Sequence, residues 1–98
     1  MRLRHSRYVR SDLDMIWDAV SEHGVSIADA CLDRIEARFA QLAEFPHSGP
    51  VHPEIAPNVR ALVVERWLIV YRILSDSVEV VRIVDGARDL SRLDLPQE

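Results

Sequence analysis

The residues best suited to chemistry lie in the last third of the chain, and most of them are arginines. Arg72 and Arg82 each interrupt an apolar run, and Arg88 and Asp89 follow in a charged segment around Gly86. The twelve basic residues of the sequence are all arginine, with no lysine. A guanidinium stays protonated at any ordinary pH, so it can bind an anion or stabilise developing negative charge but cannot act as a general base. These side chains are therefore candidates for recognition and charge stabilisation, not for taking up protons.

Six side chains are candidates for contact with a partner or target, since tryptophan and arginine are enriched among the residues that dominate binding energy. They are Trp67, Tyr71, Arg72, Arg82, Arg88 and Asp89. Each also has a structural interpretation. Arg72 would form an ion pair with Glu79 across two strands, and Arg88 would pair locally with Asp89. Trp67 and Tyr71 would pack as buried aromatic side chains. None of the six is assigned a catalytic role.

Two histidines, His47 and His52, lie in a proline-rich segment with no cysteine nearby. Two such residues form only an incomplete metal site. The sequence therefore predicts exposed loop histidines, and we expect neither a bound metal nor a cofactor.

A β-hairpin positions the candidate residues. Residues 66–74 and 77–84 are apolar runs separated by Ser75 and Asp76, which predicts two antiparallel strands joined by a two-residue turn. A turn at those residues places Arg72 opposite Glu79, Tyr71 opposite Val80, and Arg82 opposite Ile69. Arg72 and Arg82 should then point to opposite faces of the sheet. Residues 59–65 supply a further strand and complete a three-strand meander.

The N-terminal half predicts a short edge strand at residues 1–5 and two helices. Ser6 is the expected N-cap of the first helix, which ends near Gly24 and carries Trp17 as the anchor of its buried face. The spacing of Ser26 and Asp29 is typical of a capping box at the start of the second helix. The apolar stripes of the two helices are Val9, Leu13, Ile16, Trp17 and Val20, then Ala28, Cys31, Leu32, Ile35, Phe39 and Leu42.

The second helix ends at Phe45, because the residue before a proline is pushed out of the helical region. Residues 46–58, with four of the five prolines, form a loop that should pack over the sheet edge. The pattern predicts one α+β domain over residues 1–98, with two N-terminal helices packed on one face of a small, mainly antiparallel sheet. The other face should be partly exposed.

The net charge and the distribution of apolar residues argue against some classes of function. The net charge is −4, so the chain lacks the broad basic footprint of a duplex-DNA binder, and we expect no direct sequence-specific DNA binding. No apolar stretch approaches the roughly 18 residues of a spanning helix, and no apolar segment follows the charged N-terminus, which favours a cytoplasmic protein without membrane contact.

The sequence resembles the ParE branch of the RelE/ParE toxins of bacterial toxin–antitoxin modules over nearly its whole length. The similar positions are Ser6, Asp12-Leu13, Ile16-Trp17, Phe45-Pro46-His47-Ser48-Gly49, Pro53-Glu54, Trp67-Leu68-Ile69-Val70-Tyr71-Arg72, Val81-Arg82-Ile83-Val84 and Gly86-Ala87-Arg88-Asp89. Two positions depart from the family pattern: Arg7 replaces a proline found in many members, and Asp85 replaces a histidine that often precedes the glycine.

This resemblance implies a RelE/ParE-like fold and a toxin that is held inactive in a hetero-oligomer with a ParD-like antitoxin. When freed, such a toxin inhibits DNA gyrase by binding, and the antitoxin carries the DNA-binding half of the complex.

Two alternatives stay open. A RelE-like toxin would cleave messenger RNA on the ribosome, which requires an acid, a base and cations. The lysines of that branch have no counterpart here, and residues 91–98 contain neither tyrosine nor histidine. The chain could also be a non-toxic homologue that binds an antitoxin.

Overall fold

The computed structural model describes residues 1–96, and Gln97 and Glu98, the end of the predicted domain, lie outside the described residues. The described chain forms strand β1 (Arg2–His5), helices α1 (Val9–Ser21) and α2 (Val25–Glu44), strands β2 (Arg60–Val64), β3 (Trp67–Ile73) and β4 (Ser77–Asp85), and a 3-10 turn at Leu90–Arg92. This order confirms the predicted α+β architecture.

The four strands form one mixed sheet in the order β1-β4-β3-β2. Strands β2, β3 and β4 are the predicted antiparallel meander, while β1 runs parallel to β4 at the sheet edge. The two-residue turn at Ser75 and Asp76 is confirmed, because Leu74 N–H bonds the carbonyl of Ser77.

The predicted hairpin register is right near the turn and wrong beyond it. Arg72 lies opposite Glu79 and Tyr71 opposite Val80, but the register shifts between Val70 and Tyr71, so that Arg82 faces Val70 instead of Ile69. A β-bulge inserts one extra residue, and here that residue is Val81. The shift places Arg82 on the same side of the sheet as Arg72, so the prediction of opposite faces is wrong.

Both predicted helix caps are also wrong. The N-cap of α1 is Tyr8, and the Ser6 hydroxyl instead accepts the Tyr8 N–H and donates to the Val81 carbonyl at 2.6 Å. The N-cap of α2 is Gly24, with a φ of 133° that favours glycine. Asp29 does not close a capping box, because its carboxylate accepts a 2.9 Å bond from Trp17 Nε1.

The helices cover one face of the sheet and build the main core there. Cys31 is buried in it as predicted, with Ile35, Phe39 and the inward side chains of β3 and β4. Trp17 is only half-buried and bridges the two helices, so the expectation that it anchors the buried face of α1 is wrong. Neither helix among residues 1–96 is long and apolar enough to cross a membrane.

The other sheet face is covered, contrary to the expectation that it is partly exposed. A second apolar cluster around Leu68, Val70 and Val81 lies there. The proline-rich loop and the C-terminal segment pack against it through Ile55, Ala56, Leu90, Leu93 and Leu95. The loop also follows the β2 edge, where Val51 forms a bridge with Arg60.

Candidate functional site

A groove of about 260 Å³ lies between α1 and the ends of β3 and β4. We call it the α1–β4 groove. Its apolar lining includes Met15, Ile16 and Ala19 of α1 together with Trp67. Its charged lining is Asp12, Arg66, Arg82, Asp85 and Arg88. Three of the six residues singled out in the sequence therefore meet in one place.

Asp12 and Arg82 form a buried ion pair in the groove. Arg82 Nε and Nη2 donate to the two Asp12 carboxylate oxygens at 2.8 and 2.9 Å, a bidentate arrangement. The side chains are only 6% and 11% exposed for Asp12 and Arg82 respectively. The hydrogen bond to Asp12 raises the pKa of Arg82 above its ordinary value.

Asp12 also accepts a backbone hydrogen bond at the edge of the sheet. Strand β1 pairs with β4 only as far as Val80, so the backbone of β4 beyond that residue lacks a strand neighbour on this side. The Ile83 N–H donates to Asp12 Oδ2 at 3.0 Å instead. Since a buried N–H without an acceptor costs free energy, this carboxylate takes the place of a strand.

Asp12 is not among the six candidate residues or the predicted apolar stripe of the first helix, although it is one of the positions that resemble the ParE family. A signal was present, because Asp12 lies three residues after Val9 and four before Ile16, within the buried stripe of α1. An acidic residue in a buried stripe indicates a buried partner, here Arg82.

Arg82 makes two further contacts inside the molecule. Its Nη1 donates to the Asp94 carbonyl at 2.8 Å, and its guanidinium lies 4.9 Å from the centre of the Tyr8 ring. Arg82 therefore joins α1, β4 and the C-terminal segment, and its hydrogen-bonding capacity is largely used within the chain.

A second ion pair forms the far wall of the groove. Arg66 Nη2 donates to Asp85 Oδ2 at 2.7 Å, and its guanidinium lies 4.6 Å above the Trp67 ring. The Ala87 N–H and Arg66 lower the pKa of Asp85. Trp67 itself is buried, so it supports the groove from below and presents little surface to a partner.

Arg88 contributes the unpaired positive charge of the groove. Its side chain is exposed and makes no ion pair with any residue of 1–96. The predicted pair with Asp89 is wrong, because Asp89 Oδ1 accepts the Ser91 N–H at 3.1 Å and the Ser91 hydroxyl at 2.7 Å. These bonds cap the 3-10 turn and lower the pKa of Asp89.

Tyr71 and Arg72 lie outside the groove. Tyr71 is fully buried, and its hydroxyl donates to the Pro46 carbonyl at 2.6 Å and accepts the Gly49 N–H at 2.9 Å. It therefore holds the proline-rich loop against the sheet, and burial raises its pKa. The predicted ion pair of Arg72 with Glu79 is confirmed at 2.7 Å.

The loop histidines do not meet at a shared site. His52 contacts the Glu54 carboxylate, while His47 is exposed. Within residues 1–96, no group of three or more histidine, cysteine or acidic side chains is placed to hold a metal ion.

Comparison with known proteins gives three consistent findings. Residues 3–90 match the family model described as the ParE toxin of the parDE type II toxin–antitoxin system. The chain is 35% identical over 91 residues to Toxin ParE3 of Caulobacter vibrioides, covering 92% of this chain and 91% of that protein. It is also similar to a solved chain of the chromosomal ParDE system from P. aeruginosa, with a TM-score of 0.77, 25% identity, and coverage of 87% of this chain and 95% of that chain.

Proposed function

The chain belongs to the ParE toxin family of type II toxin–antitoxin systems, and from that premise we propose that it inhibits DNA gyrase by binding and is neutralised by a ParD-like antitoxin. The proposed partner surface is the α1–β4 groove. The single observation that carries the choice of this surface is that the exposed Met15 and Arg88, which forms no ion pair within residues 1–96, line the same groove.

The apolar side chain of Met15 and the positive charge of Arg88 indicate what kind of partner segment the groove would bind. Met15 is 67% exposed, although it lies beside the buried Ile16. A flexible thioether of this kind adapts to varied partner surfaces. The two groove carboxylates, Asp12 and Asp85, are already paired, so Arg88 leaves a local excess of one positive charge. We therefore expect an amphipathic antitoxin helix that buries apolar side chains on Met15 and directs a carboxylate to Arg88.

The groove chemistry supports binding over catalysis. Its polar lining consists of arginines and carboxylates, and both carboxylates are engaged in the Asp12–Arg82 and Arg66–Asp85 pairs. A general acid or base needs a group that exchanges protons near the working pH. Arginine does not meet that need, so the groove residues are suited to recognition.

The first test is pulse labelling of DNA and protein synthesis in cells induced to express this chain alone. We expect DNA synthesis to fall within the first minutes, before protein synthesis. An early fall in protein synthesis with DNA synthesis intact would indicate that the target is the ribosome and not gyrase. Normal growth would leave a non-toxic protein that binds an antitoxin.

The second test separates the groove from the rest of the surface. We expect Met15→Asp and Arg88→Glu each to weaken binding to the antitoxin by at least about tenfold, a loss of roughly 1.4 kcal/mol, in calorimetric titrations. Val63→Asp and Arg38→Glu are matched controls, since they make the same changes on exposed positions of β2 and α2. Equal losses in the controls would show that the groove is not the antitoxin surface. Gyrase supercoiling assays with the same four variants report separately on the target.

A further inference from the structure

The charge of the chain is distributed unevenly along the sequence. The first 11 residues contain four arginines and no carboxylate, a net charge of +4. The whole chain has a net charge of −4, so the remaining residues carry −8. The chain therefore contains one strongly basic segment, although its overall net charge, which argues against DNA binding, is negative.

The fold gathers these arginines along one edge of the molecule. Arg2 and Arg4 lie on β1, the edge strand of the sheet, where residues two apart share a side roughly 6.8 Å from each other. Arg7 follows in the turn, and Arg10 lies in the first turn of α1, beside His5 and therefore on the other side of β1 from Arg2 and Arg4. All four are exposed. We call these four residues the basic edge.

Within residues 1–96, nearby carboxylates cancel little of this charge. Glu79 lies opposite Arg4 in the β1–β4 register, but its carboxylate bonds Arg72 at 2.7 Å. Asp14 lies 3.8 Å from Arg10 in an exposed pair, which contributes little in water. Glu36 lines a groove together with Arg10 and is the one acidic residue of 1–96 in that lining.

We propose that the basic edge binds the phosphate backbone of duplex DNA without reading the base sequence. Guanidinium groups match phosphate oxygens in geometry and charge, and such contacts position a protein on DNA without sequence information. The four arginines extend over a strand, a turn and a helix. A duplex that lies along this edge could contact arginines on both sides of β1, whereas an acidic peptide added as a strand beside β1 would reach only Arg2 and Arg4.

This binding does not depend on the proposed action on gyrase. If the chain does bind gyrase, the basic edge would let it contact DNA that the enzyme holds. The acidic remainder of the chain would repel DNA and orient this edge toward it.

Salt dependence provides a quantitative test. If all four arginines neutralise phosphates, the logarithm of the association constant should fall with the logarithm of salt concentration with a slope of about −3.6, since each contact contributes about −0.9. Affinity then drops roughly 150-fold between about 50 and 200 mM salt. Arg4→Gln with Arg10→Gln should halve the slope and reduce that drop to roughly 12-fold.

The measurement is fluorescence anisotropy of a labelled random-sequence duplex, about two helical turns long, titrated with the isolated full chain. Arg34→Gln with Arg92→Gln is the matched control, because it removes the same charge from exposed positions elsewhere, and we expect it to keep the full slope. Thermal melts of both double variants verify folding.

Three outcomes would overturn the proposal: no binding at low salt, equal slopes for both double variants, or tighter binding to polyglutamate than to the duplex. The last result would assign the basic edge to an acidic protein partner. A gyrase supercoiling assay with the same variants keeps this proposal distinct from the proposed function, since either can fail alone.

Discussion

Replacing Asp12 with alanine should destabilise the fold more than any loss of surface charge would. The substitution leaves the Arg82 guanidinium without its bidentate partner and the Ile83 N–H without an acceptor. Asp12 is 6% and Arg82 is 11% exposed at the side chain, so solvent replaces these bonds poorly. The prediction concerns the free energy of unfolding, not the activity of the toxin.

The expected magnitude follows from the type of contact. Breaking a buried ion pair by removing one partner typically costs about 3–5 kcal/mol. A domain of this size has a total stability of about 5–15 kcal/mol, and each kcal/mol shifts the melting temperature by about 4–8 °C. We therefore expect Asp12→Ala to lower the melting temperature by more than about 10 °C. Asp14→Ala, on the exposed side of the same helix, should change stability by less than about 0.5 kcal/mol.

A double-mutant cycle isolates the pair itself. Asp12→Ala, Arg82→Ala and the double variant are unfolded in urea, and the coupling free energy is calculated from the three changes in stability. We expect a coupling of about 2–3 kcal/mol, because the double variant leaves no buried charge unpaired. A cost below about 1 kcal/mol for Asp12→Ala, together with negligible coupling, would refute the argument and make Arg82 available for partner contact.

Three other predictions concern the packing of the sheet. Tyr71→Phe should cost about 2–3 kcal/mol in urea unfolding, because the Pro46 carbonyl and Gly49 N–H lose their bonds, and a smaller loss would mean that water replaces them. Gly49→Ala should cost about 2–3 kcal/mol, since the new Cβ would lie 2.6 Å from the Ala61 carbonyl oxygen, whereas in the control Gly86→Ala the nearest atom, the Arg66 carbonyl oxygen, lies at 3.3 Å and the cost should be smaller. Ser77→Ala should raise the melting temperature by a few degrees, about 0.5–1 kcal/mol, because the buried Ser77 hydroxyl has no hydrogen-bond partner among residues 1–96; a lower melting temperature would contradict this.

The pattern of apolar residues was sufficient to predict the order and type of the elements. The hairpin at Ser75 and Asp76, the end of α2 before Pro46 and the burial of Cys31 all depend on local spacing. Such features are predictable because periodicity and turn residues act over a few neighbours.

The errors arose where a distant contact outcompeted a local preference. Ser6 has the chemistry of an N-cap, yet its hydroxyl bonds the Val81 carbonyl, 75 residues away. Asp29 stands at capping-box spacing, yet it accepts from Trp17. No glycine near Val81 indicates a bulge in the sequence, so the predicted strand partner of Arg82 is wrong by one residue. Local patterns do not record which long-range partner competes for a polar side chain.

The structural role of each candidate residue determines what its mutation can show. Arg82 joins β4 to α1, Trp67 packs in the core below the groove, and Tyr71 binds the proline-rich loop. Variants of these three residues could therefore lose toxicity simply because the fold is weakened. Arg88 and Met15 are exposed and take little part in packing. Because substitutions at exposed positions usually change stability by less than about 0.5 kcal/mol, we expect a lost interaction in their variants to report on binding directly. Toxicity that disappears in Arg82→Ala but survives in Arg88→Glu would therefore place the target outside the groove, whatever the sequence resemblance of Arg82 implies.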